Sequence, residues 1–429
     1  MDRIKIIGGN KLNGIIPISG AKNAALPLMI ASLLTDETVT LENLPKLADI
    51  EQLFLILKHL GVDYTVAESQ DAQKCANKRI AKFTAGEIVT STAPYELVAK
   101  MRASFWVIGP LLARLGEAIV SLPGGCAIGT RPVDLILQGL EALGAEIRIE
   151  NGYAHAKAPH GLRGASYRFP KVTVGGTHVL LMAASLARGR TIIENAAEEP
   201  EVVNLAQCLN EMGAKIIGAG TDHIEVEGVQ ALGGARVKII ADRIETGTYA
   251  MAVAMTGGNV LLEGADAQQL RVVLDILQKT GLNIQEEDEG VRVIRGAGPI
   301  RPVDIETKPY PGFPTDLQAQ FMALMTRASG VSHISETIFE NRFMHVQELA
   351  RLGAHISLSG QTATVQGVVG LQGAQVMATD LRASVSLVIA ALAAQGETTV
   401  NRVYHLDRGF ENLEAKLSNC GADIRRVHG

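Results

Sequence analysis

The sequence predicts an α/β protein of two similar domains, each assembled from three copies of one helix-and-strand unit. Three observations carry this. The chain has 429 residues, too many for one ordinary core. A helix-to-strand phrase recurs six times along it. A second phrase, an apolar helix rich in small residues followed by a strand, precedes each of these. Helices alternating with strands argue for sheets covered by helices.

The first phrase reads LKHLGVDY ending at Tyr64, LEALGAEI at Ile147, LNEMGAKI at Ile216, LQKTGLNI at Ile284, LARLGAHI at Ile356 and LSNCGADI at Ile424. Each is the end of an amphipathic helix, a glycine C-cap and the start of a strand. The capping glycines are Gly61, Gly144, Gly213, Gly281, Gly353 and Gly421. Their spacing is nearly even, with one longer interval after Gly61, where the extra length falls before a glycine-rich loop around Cys126. The second phrase runs from SGAKNAALPLMIASLL through MRASFWVIGPLLARLG, GGTHVLLMAASLARG, ETGTYAMAVAMTGG and TDLQAQFMALMTRASG to TDLRASVSLVIAALAAQG. Ala, Ser and Leu dominate these helices and charge is scarce, so they are expected to be buried nearly all round. Six units divide into three per domain. GVQALGGARVKII, between units three and four, carries a glycine pair that marks a boundary between Gly228 and Ala241 with a short connection.

Composition excludes several function classes. Apolar residues are 47% and charged residues 20%, ordinary for a soluble globular protein, and net charge is −5, so no broad basic field invites nucleic acid. MDRIKIIGG lacks a signal peptide's apolar segment, and no apolar run has the length of a membrane span. Cys75, Cys126, Cys208 and Cys420 are far apart with no C-x-x-C pair, which argues against disulfides and zinc and fits a reducing cytoplasm. Cys208 and Cys420 read as structural. His178, His223 and His333 have no metal-ligand spacing. VGGT at Val174 lacks the surroundings of a Walker or Rossmann loop.

The chemistry concentrates in two places. PGGCAIGTRPVDL packs Gly124, Gly125 and Gly129 around Cys126, with Arg131 and Asp134 just beyond. A thiol near a cation loses its proton more readily. Composition alone leaves Cys126 open between a reactive thiol and a buried cysteine in an ordinary turn. The second place is the set of starts of the apolar helices. A helix N-terminus presents free N–H groups and partial positive charge. The six starts carry Lys22 with Asn23, Arg102, Gly175 to Thr177, Thr246 to Thr248, Asp316, and Asp380 with Arg382. Any one of them alone reads as a cap or a surface residue. Lys22, Arg102, Asp316 and Arg382 at equivalent places in a repeat read together as a phosphate or carboxylate site in a cleft between the domains.

On these residues the chain resembles the UDP-N-acetylglucosamine enolpyruvyl transferases, the 1-carboxyvinyltransferases of peptidoglycan synthesis. The motifs are SGAKNAALP around Lys22, MRAS at Arg102, PGGCAIGTRPVDL at Cys126, FPTDLQAQF at Asp316, ETIFENRFMHV at Ile338, ATDLRAS at Arg382 and YHLDRG at Arg408, and together they cover the whole chain. The resemblance implies a two-domain inverse α/β barrel, with six βαβαββ units, three per domain. It also implies that the first strand crosses back. Residues 1–21 plus 241–429 then form the C-terminal domain, residues 22–240 form the N-terminal domain with the cysteine loop, and the active site lies in the cleft.

The implied reaction moves enolpyruvate from phosphoenolpyruvate to the 3′-hydroxyl of UDP-N-acetylglucosamine and releases phosphate, by addition then elimination through a tetrahedral intermediate. No metal, organic cofactor, nucleic acid or membrane insertion is implied. By the same resemblance Cys126 is the proton donor to the alkene, able to form a covalent adduct with phosphoenolpyruvate and to be the target of fosfomycin. Lys22, Arg131 and Arg408 hold phosphate and carboxylate; Asn23, Arg102 and Arg382 line that pocket. Asp316 accepts the sugar hydroxyl proton, and Asp380 is a second carboxylate at the reacting centre. The nucleotide sugar is expected to meet Arg102, Arg131, Pro132, Val133, Asp134, Leu135, Lys171, Thr173, Val174, Gly175, Asp316 and Ile338. Ile136 departs from the family, many of whose members carry His there. The alternatives are the sister transferase acting on shikimate 3-phosphate, and a silent nucleotide-sugar-binding regulator.

Overall fold

The computed structural model describes residues 2–71, 76–124 and 133–429, with only the backbone described at 69–71 and 76–78. The cysteine loop, with Cys126, Arg131 and Pro132, lies outside the described residues, as does Cys75.

Six four-stranded sheets share one plan. A short edge strand runs parallel to the second, and the second, third and fourth are antiparallel. In the unit of Thr38–Glu42 the edge strand is Ala235–Lys238, with Ala235 opposite Val39. Alternate residues of each strand face the helices. In Arg3–Ile7, for instance, Ile4 and Ile6 are buried between exposed Arg3 and Ile7. The six capping glycines all have positive φ, between 91° and 103°, as the left-handed end of a helix requires.

Each unit places an apolar helix inside and an amphipathic one outside. In the first half the inner helices are Lys22–Ala31, Ile108–Leu115 and Val174–Ser185; in the second they are Arg243–Thr256, Gln318–Met325 and Ala383–Leu392. Every residue of Ala383–Leu392 is buried. The three inner helices of the second half pack on one another. This is the expected inverse barrel, with helices at the centre and sheets around them. The helix starts differ in detail. Arg102–Val107 and Thr315–Leu317 are 3-10 turns leading into their α-helices. Thr246 to Thr248 lie inside a helix that begins earlier, at Arg243, because Asp242 caps it there.

The apolar side chains form two separate cores. One runs from Ala21 to Ile239; the other takes Ile4 to Ile18 and Ile244 to Ile424. The strands Arg3–Ile7 and Leu12–Pro17 belong to the second core's sheets, paired with Glu397–Asn401 and Gly258–Glu263. The chain therefore passes twice between the halves, and the passages lie side by side. Ala21 N–H donates to the Ile240 carbonyl at 2.7 Å, and Asp242 N–H to that of Ser19 at 2.8 Å. Gly20 sits in this crossing because a Cβ there would meet the Asn43 carbonyl oxygen at 2.0 Å. Among the described residues no helix is long and apolar enough to cross a membrane.

Candidate active site

The charged residues at the inner-helix starts converge from both halves. Lys22 is 6% exposed, and its Nζ lies 3.3 Å from Asp49 Oδ2. Asp49 is near the start of the outer helix Ala48–His59. Its other oxygen accepts from Arg408 Nε at 2.8 Å, so a side chain of the second half closes onto the first. Burial drives the Lys22 ammonium below its ordinary value, partly offset by Asp49 and Asp316, with Arg382 and Arg408 adding to the fall. Burial raises the Asp49 carboxyl, but Lys22 and Arg408 outweigh it and the net direction is down.

Asp316 sits between two guanidinium groups. Oδ1 accepts from Arg342 at 2.8 Å, and Oδ2 from Arg382 Nε at 3.2 Å. Burial alone would raise this carboxyl; Arg342, Arg382 and Lys22 hold it far below the carboxylate range. These cations favour its ionised form. Arg382 is 2% exposed, and both of its terminal nitrogens are buried without a hydrogen-bond partner among the described residues. A buried guanidinium with donors to spare is suited to an anion. Asp380 accepts from the N–H groups of Arg382 and Ala383 at 2.8 and 2.9 Å, so it opens the helix Ala383–Leu392.

The remaining expected residues flank this cluster in the chain. Asn23 is half-buried on the first inner helix, and Arg102 is half-buried at the start of its 3-10 turn. Lys171 is exposed just before Thr173, whose side chain accepts from Gly176 N–H and caps Val174–Ser185. Gly175 is held against Trp106, whose Nε1 would lie 2.8 Å from a Cβ there. Val133 is buried, Asp134 exposed and Leu135 half-buried at the start of Asp134–Ala142. Ile136 is buried in the first core. Ile338 is half-buried, and its N–H donates to Glu336 at 2.9 Å. Among the described residues, the hydrogen bonds and ion pairs join Lys22 to Arg408 through Asp49, and separately join Asp316 to Arg382 and Arg342.

Sequence reasoning missed Asp49, Arg342 and Glu336, and also the buried pair of Arg243 Nε with Glu201 Oε1 at 2.9 Å, which joins the halves. Arg342 and Glu336 stand in the ETIFENRFMHV motif, whose charge pattern was the available signal. Asp49 looks like any acid at the start of an outer helix. Burial pushes the thiols of Cys208 and Cys420 up to about 12 and about 11, so neither is reactive near neutral pH.

Residues 6–417 match the family described as EPSP synthase (3-phosphoshikimate 1-carboxyvinyltransferase). The chain is 73% identical over 429 residues, the whole of both chains, to the UDP-N-acetylglucosamine 1-carboxyvinyltransferases of Brucella ovis and Brucella canis. Among solved structures it resembles the enolpyruvyl transferase NikO from Streptomyces tendae, with TM-score 0.87 and 24% identity over 100% of this chain and 99% of that one. EPSP synthase from Acinetobacter baumannii superposes with TM-score 0.75 and 16% identity over the full length of both.

Proposed function

The chain belongs to the UDP-N-acetylglucosamine 1-carboxyvinyltransferase family, within the wider EPSP synthase group, and on that footing we propose which residues carry out its reaction. It is a transferase that moves enolpyruvate from phosphoenolpyruvate to the 3′-hydroxyl of UDP-N-acetylglucosamine and releases phosphate. The observation that carries the site reading is the convergence of Lys22, Arg382 and Arg408 beside Asp316 at the junction of the two halves.

Phosphoenolpyruvate has a phosphate at one end and a carboxylate at the other. Lys22, Arg382 and Arg408, with Arg131 from the cysteine loop, supply cations to both ends, and Asn23 and Arg102 line the same pocket. In the addition step the Cys126 thiol gives its proton to the methylene carbon. The sugar oxygen bonds to the adjacent carbon as its proton passes to Asp316. Elimination then returns a methyl proton to the Cys126 thiolate as the bond from carbon to the phosphate oxygen breaks, restoring the alkene, and the proton held by Asp316 leaves with the phosphate. Asp380 orients Arg382 by capping its helix. The segment from Arg131 to Leu135, that from Lys171 to Gly175, and Ile338 contact the nucleotide sugar. Cys126 is also the group that forms the phosphoenolpyruvate adduct and reacts with fosfomycin. The proposed compartment is the cytoplasm, which fits the free buried thiols of Cys208 and Cys420.

A shikimate 3-phosphate acceptor is disfavoured, because the chain is 73% identical over its whole length to relatives named UDP-N-acetylglucosamine 1-carboxyvinyltransferase. Phosphate release from phosphoenolpyruvate tests the reading. Release is expected with UDP-N-acetylglucosamine and not with shikimate 3-phosphate, and the Cys126→Ser and Lys22→Ala variants are expected to lose most of it. Release that follows shikimate 3-phosphate instead would refute the acceptor, and full activity in either variant would remove that residue from the site.

A further inference from the structure

Glu336 is 1% exposed and follows the strand Val331–Ser335. Its Oε1 accepts from Thr307 Oγ1 at 2.9 Å and from the N–H groups of Ile338 and Phe339 at 2.9 and 3.1 Å. Its Oε2 accepts from Thr315 Oγ1 at 2.8 Å. The Thr315 oxygen in turn accepts from Arg342 at 2.8 Å, and the same guanidinium donates to Asp316 Oδ1 at 2.8 Å. Arg342 also lies over the Phe339 ring, 5.3 Å from its centroid. One buried carboxylate thus fixes the turn bearing Ile338 and, through one hydroxyl, the guanidinium that fixes Asp316.

The polarity of this chain of bonds is set. A hydroxyl has one proton. Thr315 gives it to Glu336, which leaves its lone pairs for Arg342. An amide at position 336 must turn its NH2 toward either the Thr315 hydroxyl proton or the donors at Thr307, Ile338 and Phe339, so at least one of these bonds fails without any change in volume.

We propose that Glu336 and Arg342 are positioning residues that couple acceptor recognition at Ile338 to the orientation of the Asp316 carboxylate. This rests on the reading of Asp316 and Ile338 given under the proposed function. When the nucleotide sugar presses on the turn at Ile338, the displacement passes through Glu336, Thr315 and Arg342 to the atom that takes the hydroxyl proton. Among the described residues, the cations facing Asp316 are Arg342, Arg382, Lys22 and Arg243. Arg342 stands apart in belonging to the acceptor-side turn.

The test uses the full-length enzyme with Arg342→Gln, Arg342→Lys, Glu336→Gln and Asp316→Asn, each assayed across pH with both substrates varied and its thermal midpoint recorded. A charge-assisted hydrogen bond lost at an orienting residue is expected to lower kcat about ten- to a hundredfold. Arg342→Gln should lower kcat by that amount and leave KM for phosphoenolpyruvate unchanged. Because it removes a cation from Asp316, the acid-side fall of kcat should move to higher pH. Arg342→Lys keeps the charge and should restore the acid limb while recovering only part of kcat. Glu336→Gln should lower kcat and raise KM for the nucleotide sugar alone, by more than its fall in thermal midpoint accounts for. Wild-type kcat and pH profile in Arg342→Gln, with Asp316→Asn inactive, would overturn the coupling and leave the site reading intact. An active Asp316→Asn would instead remove the base on which both rest. A uniform loss that follows the thermal midpoint in every variant would make these residues structural only and also overturn the proposal.

Discussion

His178 shows what burial does to a single ring. It is fully buried on the inner helix Val174–Ser185, edge-on to Trp106 at 5.3 Å between centroids. Neither ring nitrogen has a close hydrogen-bond partner among the described residues. Burial pushes it down to about 3, and the backbone of Glu201 pulls only weakly the other way. The ring is therefore neutral in the fold, while the unfolded chain takes up a proton below its ordinary value of 6.5. Its folded value is depressed, so the stability it contributes is complete above pH 6.5 and is lost as pH falls toward 3. One proton of difference is worth about 1.4 kcal/mol per pH unit. We expect His178→Gln to reduce the loss of unfolding free energy between pH 7 and pH 5 by about 2 kcal/mol. Urea unfolding at the two pH values reads this, and equal losses in both proteins would count against it. In the sequence His178 has no metal-ligand spacing, which left it open between a solvated and a core position, and its place in the apolar phrase GGTHVLLMAAS accords with the burial found. The sequence could not mark Asp49, because one of its two partners lies in the other half of the chain. Asp49 meets Lys22 and Arg408, one from each half. Pairings across a repeat leave no local spacing to read.

At the scale of elements, the helix caps were legible and the helix starts less so. A glycine C-cap is set by backbone geometry within one turn, and the six glycines fulfil it. Helix starts depend on which side chain captures the free N–H groups. In ETGTYAMAVAMTGG the repeat pattern pointed to Thr246, but Asp242 Oδ1 accepts from Ile244 and Glu245 N–H at 2.8 and 3.1 Å and draws the start back to Arg243. The other Asp242 oxygen accepts from Lys22 N–H at 3.4 Å, so one carboxylate serves two inner-helix starts beside the double crossing. A helix cap is worth about 1 kcal/mol and up to about 2. Asp242→Ala is expected to lower stability by about 1–2 kcal/mol. Amide exchange should speed up together at the starts of Lys22–Ala31 and Arg243–Thr256. Faster exchange at only one of them would mean that Asp242 caps a single helix.

Across the whole molecule, two ion pairs among the described residues tie the halves, and their burial differs. Arg243 and Glu201 have side chains 9% and 3% exposed, and Arg243 also lies over Tyr310 at 5.4 Å. Removing one partner of such a pair strands a charge away from water and is strongly destabilising. Arg408 is 35% exposed where it meets Asp49, and water screens and competes for a guanidinium placed there. The buried tie, beside the chain crossings, is therefore expected to hold, and the partly exposed tie is the one expected to yield first when the halves separate. Asp49 is shared, since it also holds Lys22, so the opening edge and the donor site are linked through one carboxylate. Asp49→Asn should release Arg408, let the halves separate in the free enzyme, and leave Lys22 without its main counter-charge. We expect a larger radius of gyration by solution scattering than wild type without ligands, and KM for phosphoenolpyruvate raised about tenfold or more. Glu201→Gln should instead lower the thermal midpoint with less effect on that KM. A free Asp49→Asn enzyme as compact as wild type, with its donor KM unchanged, would show that Asp49 neither closes the cleft nor holds Lys22 for the donor.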